Sequence, residues 1–121
     1  MAQNSGNKSY DLEERTFQFA KEVRLFVKTL EKTIANIEDS KQVVRSSGSI
    51  GSNYIEANEA FSKKDFVFRI KISRKEAKES TFWLRLINET NQKINKQLAE
   101  KLIQESIELK KILSTIAGKS K

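Results

Sequence analysis

The 121-residue sequence contains no cysteine, no histidine and no proline, and only four glycines and one tryptophan. Each absence removes a class of structure or chemistry. Without cysteine there are no disulfides, no thiolate metal sites and no thiol nucleophile. Without histidine the commonest acid–base group and metal ligand is missing, which disfavours helical nucleases built on an Arg–His pair. Lack of proline and scarcity of glycine, alongside 32% charged residues, fit a chain that is almost wholly helix with short connections. Apolar runs are only a few residues long, too short to span a bilayer, and no signal-peptide pattern opens the chain. The expectation is one cytoplasmic domain with no membrane role, no cofactor and no metal.

What the chain does have is positive charge. Twenty-three Lys and Arg stand against sixteen Asp and Glu, a net +7. Such a surplus favours contact with nucleic acid or anionic headgroups. The plainer alternative is a solvated surface rich in lysine.

Periodicity predicts an all-α fold. Residues 1–10 are polar and aperiodic and read as a loose tail, residues 11–118 as the folded domain, and residues 119–121 as a short basic tail. Asp11 and Glu14 have capping-box spacing, so a first helix is expected from Asp11. Its buried stripe would be Thr16, Phe19, Ala20, Val23, Phe26, Val27, Leu30 and Ile34. A second helix is expected from a cap at Asp39 or Ser40 to about Glu59. Ser62 followed by Asp65 caps a third, about Lys63 to Asn91, with a seam of Phe66, Ile70, Ser73, Ala77, Ser80, Leu84 and Ile87. Phe68, Ile72, Phe82, Trp83 and Leu86 widen that seam. The fourth, Lys96 to Ala117, should stop at Gly118. Four such helices with short links give an antiparallel up-down-up-down four-helix bundle. Apolar faces on helices three and four beyond one core lean toward a homo-oligomer.

The second helix has an unusual composition. Val43, Ser47, Ile50, Tyr54, Ala57 and Phe61 alternate at spacings of four and three, a heptad seam, yet Ser46, Ser47, Gly48, Ser49, Gly51 and Ser52 run through it. Side chains this small let a neighbouring main chain approach closely. Periodicity leaves open whether that neighbour belongs to the same chain or another. The Gly48–Gly51 run could instead be a phosphate-clamping loop, but its place inside a seam favours packing.

Three blocks carry a resemblance: RSSGSIGSNYIEANEA at residues 45–60, SKKDF at 62–66, and RKEAKES..WLRLI at 74–87. Their order and spacing resemble the four-helix bundle family known as the 23S rRNA-intervening sequence proteins, over essentially the whole chain from Tyr10. Many members have a proline after the Ser-Ile pair and a glycine after Ile-x-Glu; Gly51 and Ala57 stand there in this chain. The resemblance implies an up-down bundle that assembles into a ring, a homopentamer. Some relatives are encoded within intervening sequences of large-subunit ribosomal RNA genes. More distant ones, the accessory variability determinant proteins of diversity-generating retroelements, are basic rings that bind nucleic acid and a reverse transcriptase. No catalytic residue is established for the family, so none transfers.

Among candidate sites, the basic residues of helix three weigh most. Lys63, Lys64, Arg69, Lys71, Arg74, Lys75, Lys78 and Arg85 stand there against Asp65, Glu76, Glu79 and Glu89. Lys64, Lys71, Arg74, Lys75 and Lys78 are the candidate nucleic-acid residues, and a ring would concentrate their charge. With no exposed aromatic expected among them, binding should follow backbone charge with little sequence preference. Arg45, Ser47, Gly48, Gly51 and Tyr54 are the candidate packing or oligomer contacts, with Arg45 expected to pair with Glu56 or Asp39 across a subunit contact, or to face a phosphate. Tyr54 and Trp83 read as core or interface aromatics. Glu56 with Glu59, and Glu76 with Glu79, share helix faces, but salt bridges to nearby lysines are the expected use rather than a metal. The leading function is a non-enzymatic scaffold or accessory that binds RNA or DNA. The alternative is a docking protein whose charge serves solubility alone.

Overall fold

Three side-chain oxygens mark where helices of this chain begin. Thr33 Oγ1 accepts from the Asn36 amide at 3.1 Å, Ser62 Oγ from Asp65 at 3.0 Å, and Asn95 Oδ1 from Leu98 at 3.0 Å. Each satisfies a donor that the first turn leaves without an intrahelical partner. The computed structural model describes residues 8–119 and contains α1 (Lys8–Val27), α2 (Ile34–Asn58), α3 (Lys63–Thr90) and α4 (Lys96–Lys119).

Helix α3 matches the sequence expectation at its cap and along its seam; the other boundaries shift. Helix α1 is already under way at Lys8, so Asp11 sits in its first turn, where a negative charge complements the dipole, rather than at the cap. Residues 1–7 and 120–121 of the two expected tails lie outside the described residues. Helix α2 is capped by Thr33, not by Asp39 or Ser40. The end of α1 tightens through Thr29 N–H to Phe26 O at 3.0 Å and Leu30 N–H to Val27 O at 3.2 Å. Leu30 therefore stays in the core although the helix has ended, while Ile34, expected in the α1 stripe, is exposed on α2. Likewise α2 ends before Phe61, which is fully exposed in the turn rather than part of the seam. Helix α4 continues through Gly118, whose φ is not positive, to Lys119.

Each helix packs against its sequence neighbours, α1 closes on α4, and the main chains of the diagonal pairs stay apart. Cross-helix partners run in opposite order: Glu13 with Asn58 and Arg24 with Val44 join α1 to α2, and Arg69 with Asn53 and Ser80 with Ser46 join α3 to α2. The result is the expected antiparallel four-helix bundle. Its core is Phe19, Val23 and Phe26 of α1, Val43 and Ile50 of α2, Ile70, Leu84 and Ile87 of α3, and Leu102, Leu109 and Leu113 of α4, all essentially inaccessible.

The small-residue stripe of α2 is spent inside the chain. A Cβ at Gly51 would lie 2.9 Å from Thr16 Oγ1 and 3.3 Å from Thr16 Cβ, so α1 crosses α2 where no side chain fits. A Cβ at Gly48 would meet the Arg24 guanidinium at 3.1 Å. On the opposite flank, Ser46 and Ser80 share a hydrogen bond of 2.8 Å, and Ser73 donates to the Ile50 carbonyl at 2.7 Å. Ser47 is buried and donates to Val44 O. The hydroxyls of Ser46, Ser73 and Ser80 join α2 to α3, and each of these four buried serines has a hydrogen-bond partner.

Candidate nucleic-acid interface

Helix α3 is 28 residues long, roughly 40 Å at 1.5 Å per residue. Its inward seam is fixed by Ile70, Ser73, Ala77, Ser80, Leu84 and Ile87, which are all fully buried. That register turns Lys64, Lys71, Lys75 and Lys78 outward, and all four are exposed. Arg74 is half-buried at the edge of this face.

The two acids in the middle of α3 do not neutralise that face. Glu76 and Glu79 reach sideways to α2, where Arg45 lies 3.3 Å from Glu76 Oε1 and 3.0 Å from Glu79 Oε1. Arg45 thus pairs within its own chain, with two acids of α3 that its spacing along α2 did not suggest. Glu76 is buried, and its Oε1 accepts no well-formed hydrogen bond. The 3.3 Å contact with Arg45 is Coulombic in distance but poorly aligned, so the stronger bond of this triad is Arg45 to Glu79. The lysines near these glutamates in sequence take no part. Among the described residues, no Lys or Arg of α3 forms an ion pair; Arg69 donates to Asn53 Oδ1 at 3.1 Å.

The outward face also holds aromatics, contrary to the sequence expectation. Phe68 is 59% exposed and Phe82 55% exposed. At about 100° per residue, Lys64, Phe68, Lys71, Lys75, Lys78 and Phe82 fall within about 80° of arc. The Phe82 ring stands edge-on to Trp83, centroids 5.0 Å apart and planes at 81°. Trp83 is half-buried against the core and Tyr54 is buried, as expected. Exposed apolar residues also occur on α1 (Phe17, Leu25) and α2 (Ile37, Ile55). On α4 no large apolar side chain reaches that exposure; Leu98, Ile103, Ile112 and Ile116 are partly buried against the core.

Other features carry less chemistry. A cleft of about 680 Å³ opens where α1 begins and α4 ends, lined by Leu12, Tyr54, Phe66, Ile112 and Ile116. Of the two cations that line it, Arg15 and Lys119, Arg15 is already held by both oxygens of Glu105 at 2.7 and 2.8 Å. Glu56 and Glu59 are exposed, and among the described residues no cluster of three acidic groups could hold a metal. No described helix is long and apolar enough to cross a membrane.

Residues 8–115 match the family model described as 23S rRNA-intervening sequence protein. The bundle is also similar to the crystal structure of a protein of unknown function from the S23 ribosomal protein family of Bacteroides thetaiotaomicron. The two are 31% identical with a TM-score of 0.79, over 92% of this chain and 98% of that one. No curated protein matches the chain.

Proposed function

The chain belongs to the 23S rRNA-intervening sequence protein family, and from that premise we propose that it is a non-enzymatic, homo-oligomeric bundle that binds nucleic acid through α3. It acts as an accessory or scaffold to a nucleic-acid-processing partner such as a reverse transcriptase. One observation carries the reading: the cations of α3 are left unpaired while its inner acids are taken by Arg45. Lysines without a carboxylate partner can neutralise phosphates, and release of the cations condensed on the polynucleotide then drives binding. Absence of histidine and of any described acidic cluster supports a binding role over catalysis.

Self-association, as a ring of five, would use the outer faces of α1 and α2. There Phe17, Leu25, Ile37 and Ile55 are exposed without a surplus of like charge as dense as that on α3. Gly48 and Gly51 offer no support for it, since α1 already occupies them. Filter binding to short RNA and DNA at about 50 mM salt tests the proposal, with Lys71, Lys75 and Lys78 all changed to Glu as the comparison. Binding by the natural protein and none by the triple variant, with helicity and mass unchanged, is the expected result. No binding by either would leave the docking-protein alternative.

A further inference from the structure

Phe68, Lys71, Lys75, Lys78 and Phe82 follow one another at spacings of three, four, three and four, with Lys64 before them and Arg85 after. Three-four alternation keeps residues on one helix face, and on α3 it is the face opposite the buried seam. Two exposed rings therefore bracket three unpaired ammonium groups on one line. Resting on the binding role proposed above, we infer that this stripe is a platform for single-stranded polynucleotide, with bases stacked on Phe68 and Phe82 and the intervening phosphates held by the three lysines.

The geometry favours that occupant over others. The rings are 14 residues apart, about 21 Å along the helix. At about 3.4 Å per stacked nucleotide, that span covers about six bases of a stacked strand and fewer of an extended one. A duplex offers the lysines its phosphates but hides its base faces, so both rings would stay in water. A single strand satisfies rings and lysines together, and any base can stack. Contact between two copies through the same stripe would bring their lysines against each other, like charge on like. A membrane surface suits contiguous apolar side chains rather than two rings separated by three charges. Phe82 is also braced edge-on by Trp83, so its ring is held in place before any base arrives.

Trp83 is the chain's only tryptophan and reports on its neighbour. The test titrates the full-length protein with oligothymidylate and oligouridylate long enough to span both rings, and with a duplex of equal length. Tryptophan quenching and filter retention are read for the natural protein and for Phe68→Ala with Phe82→Ala. Both rings are largely exposed, so the double variant should fold. Expected are quenching by single strands, and single-strand affinity lower in the variant by about fivefold to a hundredfold per ring, with duplex affinity unchanged. Equal affinity of the natural protein for single strand and duplex, with no loss in the variant, overturns the platform while leaving charge-driven binding intact. No binding of either form overturns both. A change in sedimenting mass of the variant, or binding to phosphatidylglycerol vesicles that the variant loses while single-strand affinity stays unchanged, assigns the rings elsewhere and overturns it too.

Discussion

Asn36 and Asn91 exchange two amide hydrogen bonds across one end of the bundle, Asn36 Nδ2 to Asn91 Oδ1 at 2.8 Å and Asn91 Nδ2 to Asn36 Oδ1 at 2.9 Å. Asn36 also donates to the Glu31 carbonyl at 2.9 Å, and Asn91 to the Ile87 carbonyl at 2.8 Å. Two side chains thereby tie the α1–α2 turn to the end of α3. The pair anchors the end of α3, while its buried seam sets which residues face outward. Asn36→Ala should cost about 1–3 kcal/mol, because it leaves buried partners unsatisfied. Asn36→Asp should cost more, since a carboxylate there can only accept and would face two oxygens. Urea denaturation of both variants checks the order.

The glycines separate by neighbour. Gly51→Ala should destabilise by about 1–3 kcal/mol through the clash with Thr16, even though alanine gains about 1 kcal/mol in a helix. Gly48→Ala should be near neutral, because the Arg24 side chain that it meets can move. Gly118→Ala, with nothing within 4 Å, should be neutral to slightly stabilising. Thermal melts of the three single variants rank them. Equal behaviour at Gly48 and Gly51 would contradict the packing described.

Removing Arg45 strips the buried Glu76 of its counter-charge. Arg45→Ala should lose about 1–3 kcal/mol, the half-exposed arginine moderating the effect. Adding Glu76→Gln should recover part of it. A double-mutant cycle over Arg45 and Glu76 measures that coupling.

Burial raises the Asp39 carboxyl above its ordinary value, and the charge of adjacent Glu38 raises it further. The folded state then holds that proton more tightly than the unfolded state. Stability contributed by this site falls as pH rises from the ordinary carboxylate value through the raised one. Asp39→Asn should therefore melt higher than the natural protein at neutral pH. The difference should vanish once pH drops below the ordinary carboxylate range. Melting curves across pH follow it directly.

Much of this architecture was legible in the residues. Helix α3 could be read from Ser62 to Ile87 because its cap and its heptad seam agree. The start of α2 was not, because Leu30 keeps the apolar rhythm of α1 going after the helix has ended, masking Thr33 as a cap. Partners of Arg45 within the chain lie 31 and 34 positions away on another helix, so spacing along α2 could not reveal them. Phe68 and Phe82 were counted as widening the apolar seam of α3, although they lie on the lysine face. Their three-four alternation with the lysines was the signal that placed them outside. Small residues in α2 correctly announced a close approach, but only the α1–α2 crossing shows that Thr16 is what approaches.

The central claim is that the unpaired lysines of α3 engage phosphates, and the salt dependence of binding tests it most directly. Observed affinity for oligouridylate should be measured across a salt series for the natural protein and for Lys71→Gln, Lys75→Gln and Lys78→Gln combined. Losing three phosphate contacts should make the slope of log affinity against log salt shallower by about 2. A slope unchanged in the triple variant would mean that these side chains touch no phosphate, and would contradict the account.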